Sequence, residues 1–170
     1  GHVLVVAGSR NYVGAAYLAS QASVRAGAGL TTLATPECVY PIAAAKSTEP
    51  IHLPLPDDDE GRVSAQAAQG LHDRSRRFTN IVAGCGLGVS DGTVKFVEEL
   101  LFNQESSGLS ALPVLVDADG LNNLARIEDW PERRRGPMTL TPHPGEMATL
   151  TGLSTPEVQA DRVAVAREYA

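Results

Sequence analysis

Apolar and polar positions in this chain are grouped in blocks rather than alternating residue by residue. Val3-Leu4-Val5-Val6-Ala7 is a continuous apolar run closed by Gly8-Ser9. A strand without polar alternation is one buried on both faces, as in a parallel sheet. Next, the spacing predicts a helix over residues 14–26, with Ala15, Leu18, Ala19, Ala22 and Ala26 on one small-residue face. Gly27-Ala28-Gly29 ends it. Residues 30–35 read as a second strand, and Pro36 is expected to open a helix, because proline is tolerated in a first turn. Ile51–Leu55 is a weaker strand signal with proline nearby. The acidic run Asp57-Asp58-Asp59-Glu60 is expected to be a solvated loop, followed by a helix over 64–76. Asn80–Ala83 reads as a strand leading through glycines into a helix near 93–103. Residues 113–116 form a further strand, with a helix starting at Asp119. Met138–Leu140 is the last strand, and a helix runs from Pro144 or Gly145 through Leu150. Thr155-Pro156 is expected to cap and open a final helix. Strand, loop and helix in repetition imply a doubly wound α/β sheet. With no internal repeat or linker, residues 1–170 read as one domain.

Composition removes several function classes. Of 170 residues, 43% are hydrophobic and 20% charged, as in soluble globular proteins. A net charge of −6 argues against nucleic acid or an anionic membrane as the main partner. Aromatics at 5% disfavour a base-stacking platform. Cys38 and Cys85 make neither a disulfide framework nor a CxxC pair, so a reducing, cytoplasmic setting is expected. The first apolar run is too short to span a membrane and lacks the flanks of a signal peptide.

The candidate chemistry lies where strands should end. Gly8-Ser9-Arg10-Asn11-Tyr12-Val13-Gly14 joins a strand to a helix. It lacks the Walker spacing and the Lys-Ser/Thr pair, so it is either a ligand loop at a helix N-terminus or a plain turn. Gly84-Cys85-Gly86-Leu87-Gly88 is not GxGxxG; its glycines permit close backbone approach to a ligand or simply a tight turn. Cys85 has no sequence-evident base, which favours a small buried side chain over a nucleophile. In Asp117-Ala118-Asp119-Gly120-Leu121-Asn122 the glycine comes too early for an EF-hand. Asp119 reads as a helix cap, whereas Asp117 at a strand end has no ready structural reason, and Asn122 faces a ligand or only the loop. In Thr141-Pro142-His143-Pro144-Gly145-Glu146, His143 is held between two prolines. Glu146 either complements a helix dipole or holds a hydrated magnesium ion. His2, His52 and His72 belong to no constellation.

Taken in order, the 3–9, 12–15, 25–30, 84–88, 117–122 and 140–146 segments resemble the ADP/ATP-dependent NAD(P)H-hydrate dehydratase family, a carbohydrate-kinase-like branch of the ribokinase superfamily. The resemblance implies a ribokinase-like doubly wound sheet flanked by helices. It also implies repair of hydrated NADH or NADPH: the hydrate hydroxyl is phosphorylated by ADP or ATP, then phosphate is eliminated. By the same resemblance Ala15, Gly86, Gly88 and His143 line the hydrate site, and Asp117 and Asn122 flank the phosphate path. Glu146 takes the place of the Mg2+-associated glutamate of the superfamily's Asn-x-x-Glu motif, with His143 replacing the asparagine. The family's catalytic aspartate, in a Gly-Thr/Ser-Gly-Asp motif, has no counterpart in these residues, so no catalytic residue is assigned. The chain is expected to be the substrate-side part of a C-terminally incomplete domain, with an exposed sheet edge. Cys85 stands where the family usually has proline, and Gly120 where it has alanine. A homo-oligomer of four or more copies is implied. The alternatives are a hydroxymethyl-pyrimidine or hydroxyethyl-thiazole kinase of the superfamily, a non-catalytic nucleotide-binding variant, and a Rossmann-like dehydrogenase; the missing GxGxxG weighs against the last.

Overall fold

The computed structural model describes residues 1–103 and 108–170. The described residues form strands β1 (His2–Val6), β2 (Leu30–Pro36), β3 (Ile51–Leu55), β4 (Asn80–Ala83), β5 (Val114–Val116) and β6 (Met138–Leu140). They lie in the order β3-β2-β1-β4-β5-β6, every pair parallel. The helices are α1 (Val13–Arg25), α2 (Tyr40–Lys46), α3 (Ala67–His72), α4 (Asp91–Phe102), α5 (Asp119–Leu124), α6 (Trp130–Arg133), α7 (Pro144–Thr151), α8 (Thr155–Ala160) and α9 (Arg162–Glu168).

The apolar runs predict this burial well. Leu4, Val5 and Val6 are fully buried, with side chains alternating between two cores. Leu4 and Val6 join Ile81, Ala83, Val114 and Val116 beneath helical residues such as Leu71, Phe96, Leu100 and Leu121. Val5 and Ala7 join Leu33, Ala16, Val39 and Ala43 beneath α1 and α2. The chain winds outward from β1 through β2 to β3, then returns to the other side of β1 through β4, β5 and β6. The order therefore reverses between β1 and β4. In an open parallel sheet the crevice beyond the carboxyl ends of such a pair is where ligands bind.

Several boundaries differ from expectation for local reasons. Pro36 opens no helix: it ends β2 opposite Leu55, and α2 starts at Tyr40 with Pro41 in its first turn. The helix expected over 64–76 is only Ala67–His72, followed by a 3-10 turn over Ser75–Arg77. Ser154, not Thr155, caps α8 through a reciprocal capping box with Glu157. The final helix is two helices, because Asp161 leaves the helical conformation and its side chain caps α9 at Ala164 N. Half of the acidic run is structural rather than solvated. Asp57 Oδ2 accepts the Cys38 N–H, and Asp58 accepts the Glu60 and Arg62 N–H groups and the Arg62 guanidinium.

The small-residue face of α1 also divides. Leu18 is 67% exposed, and Ala16 and Ser20 face the sheet instead. Ala19, Ala22 and Ala26 border a groove of about 670 Å³ whose far wall is Val82, Leu115 and Thr139. On that face α1 and α2 cover the sheet from β1 to β3. On that face no described helix covers β4 to β6, and β6 is an edge strand among the described residues. This face should bind the dye ANS in the native state. Replacing Val82 and Leu115 together by threonine is expected to lower ANS fluorescence at unchanged helical circular dichroism. Undiminished fluorescence would locate the apolar surface elsewhere.

Candidate functional site

The crevice at the reversal point is built from the ends of four strands, β1, β4, β5 and β6. Beyond β1, Gly8 takes a left-handed φ of 90°. Its N–H donates to the Cys85 carbonyl at 2.9 Å, while the Gly84 N–H returns to Val6 O at 3.1 Å. Beyond β4, Gly84, Gly86 and Gly88 have φ of 127°, 69° and 75°, and Leu87 is fully buried as the loop's anchor. Conformations of this kind favour glycine. Left-handed backbone fits a tight turn and a ligand-approach loop alike, and the close approaches of Gly84 and Gly86 are to the protein's own chain. A Cβ at Gly86 would lie 2.8 Å from the Ala15 Cβ and 2.7 Å from the Tyr12 Cβ. Ala15 and Gly86, named together from the sequence, are thus in contact at the start of α1. That helix has no side-chain cap and no acidic residue in its first turn.

Beyond β5, Asp117 begins a tight turn closed by Gly120 N–H to Asp117 O at 3.0 Å. Ala118 inside it has φ 51° and ψ −125°, a conformation suited to glycine. The turn aims two carboxylates apart. Asp117 accepts the Thr141 hydroxyl at 2.8 Å and faces Cys85 Sγ at 3.5 Å. Asp119 Oδ2 accepts the Gly88 N–H at 2.9 Å, so it does not cap its own helix; Ala118 is the cap position. The Cys85 thiol is pushed up to about 11, first by burial and then by Asp117. Such a thiol is no nucleophile at neutral pH, which agrees with the structural reading of Cys85. Asn122 is half-buried with no side-chain hydrogen bond among the described residues.

Beyond β6, His143 and Glu146 hold each other. His143 Nδ1 accepts the N–H groups of Gly145 and Glu146, and Glu146 Oε2 accepts the His143 N–H at 2.9 Å. With Nδ1 an acceptor, the neutral ring carries its proton on Nε2, 3.2 Å from Glu146 Oε1. The rigid turn therefore holds the imidazole as a cap for α7, while the ring side chain stays 67% exposed. Glu146 is 8% exposed and already engaged. Among the described residues no three metal-ligating side chains converge.

Residues 3–170 match the family model described as NAD(P)H-hydrate dehydratase. The chain belongs to this family. It is similar to the bifunctional NAD(P)H-hydrate repair enzyme Nnr of Moorella thermoacetica, 41% identical over 170 residues, and to that of Thermofilum pendens, 36% identical. Each alignment covers 100% of this chain but 31% of the relative. Among solved structures it resembles the ADP/ATP-dependent NAD(P)H-hydrate dehydratase of Bacillus subtilis co-crystallised with ATP/Mg2+, with a TM-score of 0.75 and 28% identity. That match covers 100% of this chain and 54% of the Bacillus chain. The ribokinase-like fold is shared with a protein of Enterococcus faecalis at TM-score 0.73 and 20% identity, covering 99% of this chain and 53% of that one.

Two contributors to the dehydratase-family crevice escape sequence reasoning. Thr141 orients Asp117; its signal is its place in the same hexapeptide as His143. Asn123 is fully buried, between Leu121 and Leu124. Its signal is a polar residue on an apolar helical face, four residues after Asp119. His2, His52 and His72 stay outside the site; their ring nitrogens bond Thr32, Ser47 O and Glu99 O.

Two outcomes follow from this geometry. Ala118→Gly should raise stability by about 1 kcal/mol, relief of backbone strain exceeding the added unfolded-state entropy. A urea midpoint that falls would show the turn unstrained. The raised Cys85 value gives a stability contribution present below pH 9 and lost as pH climbs toward 11. Cys85→Ser should flatten that decline, measured as unfolding midpoints at pH 8, 9, 10 and 11.

Proposed function

We propose that this chain forms the substrate side of an ADP- or ATP-dependent NAD(P)H-hydrate dehydratase acting in nicotinamide nucleotide repair. The observation carrying this reading is the contact of Ala15 with Gly86 in the crevice between β1 and β4, together with family membership over residues 3–170. In this reading Ala15, Gly86, Gly88 and His143 line the hydrate, and Asp117 and Asn122 flank the phosphate path. The first turn of α1 presents backbone N–H groups with no acidic competitor, an arrangement that suits an anionic ligand.

Phosphoryl transfer requires positioning, charge neutralisation and a base for the attacking hydroxyl. Positioning is the part for which this chain has an evident structure. The hydrate hydroxyl would attack the terminal phosphorus of ADP or ATP, losing its proton and releasing AMP or ADP, and phosphate would then leave together with a proton from the adjacent ring carbon to restore the dihydronicotinamide double bond. Glu146 is the residue that would hold Mg2+ through water, where the ion would neutralise phosphate charge. The base is not assigned to a residue of this chain. We also propose a cytoplasmic setting, supported by two free cysteines, and a homo-oligomer of four or more copies, as the family resemblance implies. No described helix is long and apolar enough to cross a membrane.

The test is titration of the chain with NADPH hydrate and NADH hydrate, followed by assay of NAD(P)H recovery with ADP or ATP and Mg2+. Binding of a hydrate supports the reading even where turnover is lacking. Binding of neither, with binding of a hydroxymethyl-pyrimidine, would move the chain to the kinase branch. Nucleotide binding alone would indicate a non-catalytic variant. His143→Asn keeps a side-chain acceptor for capping α7, so stability should hold within about 0.5 kcal/mol, while hydrate affinity should fall at least about tenfold, a loss of 1.4 kcal/mol. Unchanged affinity would remove His143 from the site. Glu146→Gln should weaken Mg2+-dependent nucleotide binding and leave Mg2+-independent hydrate binding intact.

A further inference from the structure

The 84–88 loop has three glycines in the left-handed region, so its ordered form is entropically costly. Two side chains of α5 hold both polar main-chain groups of Gly88. Asp119 Oδ2 accepts its N–H at 2.9 Å, and Asn123 Nδ2 donates to its carbonyl at 2.9 Å. The second Nδ2 proton goes to Asp119 O at 2.7 Å, and Asn123 Oδ1 accepts the Thr93 hydroxyl at 2.9 Å. Thr93 is also the capping-box partner of Ser90 at the start of α4. Asn123 is fully buried with every polar site matched, a network that would be costly to leave half satisfied. It joins α4, α5 and the glycine loop at one point, and Gly88 lies two residues from Gly86.

We propose that Asn123 and Asp119 are positioning residues that preset the 84–88 loop and thereby set hydrate affinity. The affinity part rests on the functional reading above; the loop-ordering part does not. Neither side chain needs to touch the ligand. They act through the Gly88 main chain, which fixes the distance between Gly86 and Ala15.

The experiment is residue-resolved amide hydrogen exchange on the full chain without ligand, combined with calorimetric titration of NADPH hydrate. The variants are Asn123→Ala, Asp119→Ala and Asp119→Asn. Both alanine variants should speed exchange at Leu87 and Gly88 at least about tenfold relative to β1 and β4 amides, and lower hydrate affinity at least about tenfold. Asp119→Asn retains an acceptor oxygen and should restore most of both. Asp119 is half-exposed, so its alanine variant remains informative if Asn123→Ala fails to fold. Equal loss of protection in the loop and the core strands would reduce the pair to general stability and overturn the proposal. Faster loop exchange with unchanged affinity would overturn it as well. A wild-type chain that binds no hydrate would strike the functional reading, and the exchange data alone would then decide the clamp.

Discussion

The crevice depends on the close approach of two glycines, Gly84 beyond β4 and Gly120 beyond β5. A Cβ at Gly84 would lie 1.9 Å from the Asp117 carbonyl oxygen and 2.9 Å from the Gly120 Cα. A Cβ at Gly120 would lie 2.8 Å from the Gly84 Cα. No side chain can relax such overlaps, since the opposing atoms are main chain. This contact brings the Asp117 turn against the glycine loop. The other contacts follow from it: Cys85 faces Asp117, Asp119 reaches Gly88, and the Cys85 carbonyl meets Gly8. A Cβ at position 120 would require the Gly84 main chain and the Val116 side chain to shift.

The hexapeptide after β6 shows how one arrangement serves two readings. Proline on each side of His143 fixes the main chain, and the ring then satisfies two N–H groups that α7 would otherwise leave open. Glu146 answers from the third helical position. Capping accounts for the identity of both residues at the level of folding. It also leaves the imidazole side chain largely exposed while its Nε2 faces the buried Glu146 carboxylate. The geometry that a substrate-facing histidine needs, a fixed ring with one tautomer, is thereby supplied by the cap itself.

Much of this was legible in the sequence, and the exceptions have physical causes. The continuous apolar run Val3–Ala7 locates β1, because burial on both faces leaves no room for polar residues. Pro36 misleads because a proline ending a parallel strand and a proline opening a helix look alike locally; its partner Leu55 decides between them. Leu18 misleads because 3-4 spacing fits two neighbouring stripes of α1, and only the position of the sheet selects Ala16 and Ser20. Asp119 is misread as a cap because its partner Gly88 lies 31 residues away. Asn123 is missed for the same reason: its partners come from loops and helices that meet only in three dimensions. The glycines, by contrast, are legible, because left-handed backbone restricts residue type directly.

Charge completes the division of labour in the crevice. Three helices, α1, α5 and α7, begin beyond the ends of β1, β5 and β6, and each N-terminus carries partial positive charge. Asp119 and Glu146 occupy the first turns of α5 and α7 and compensate those two. The first turn of α1 has neither an acidic residue nor a side-chain cap. It is also where Ala15 packs against the buried Gly86. A chain of net charge −6 that gathers carboxylates around this crevice leaves α1 as the uncompensated positive end among the three. Negative charge is therefore least opposed at the start of α1, beside the glycine loop whose Gly88 main chain is bonded by Asp119 and Asn123.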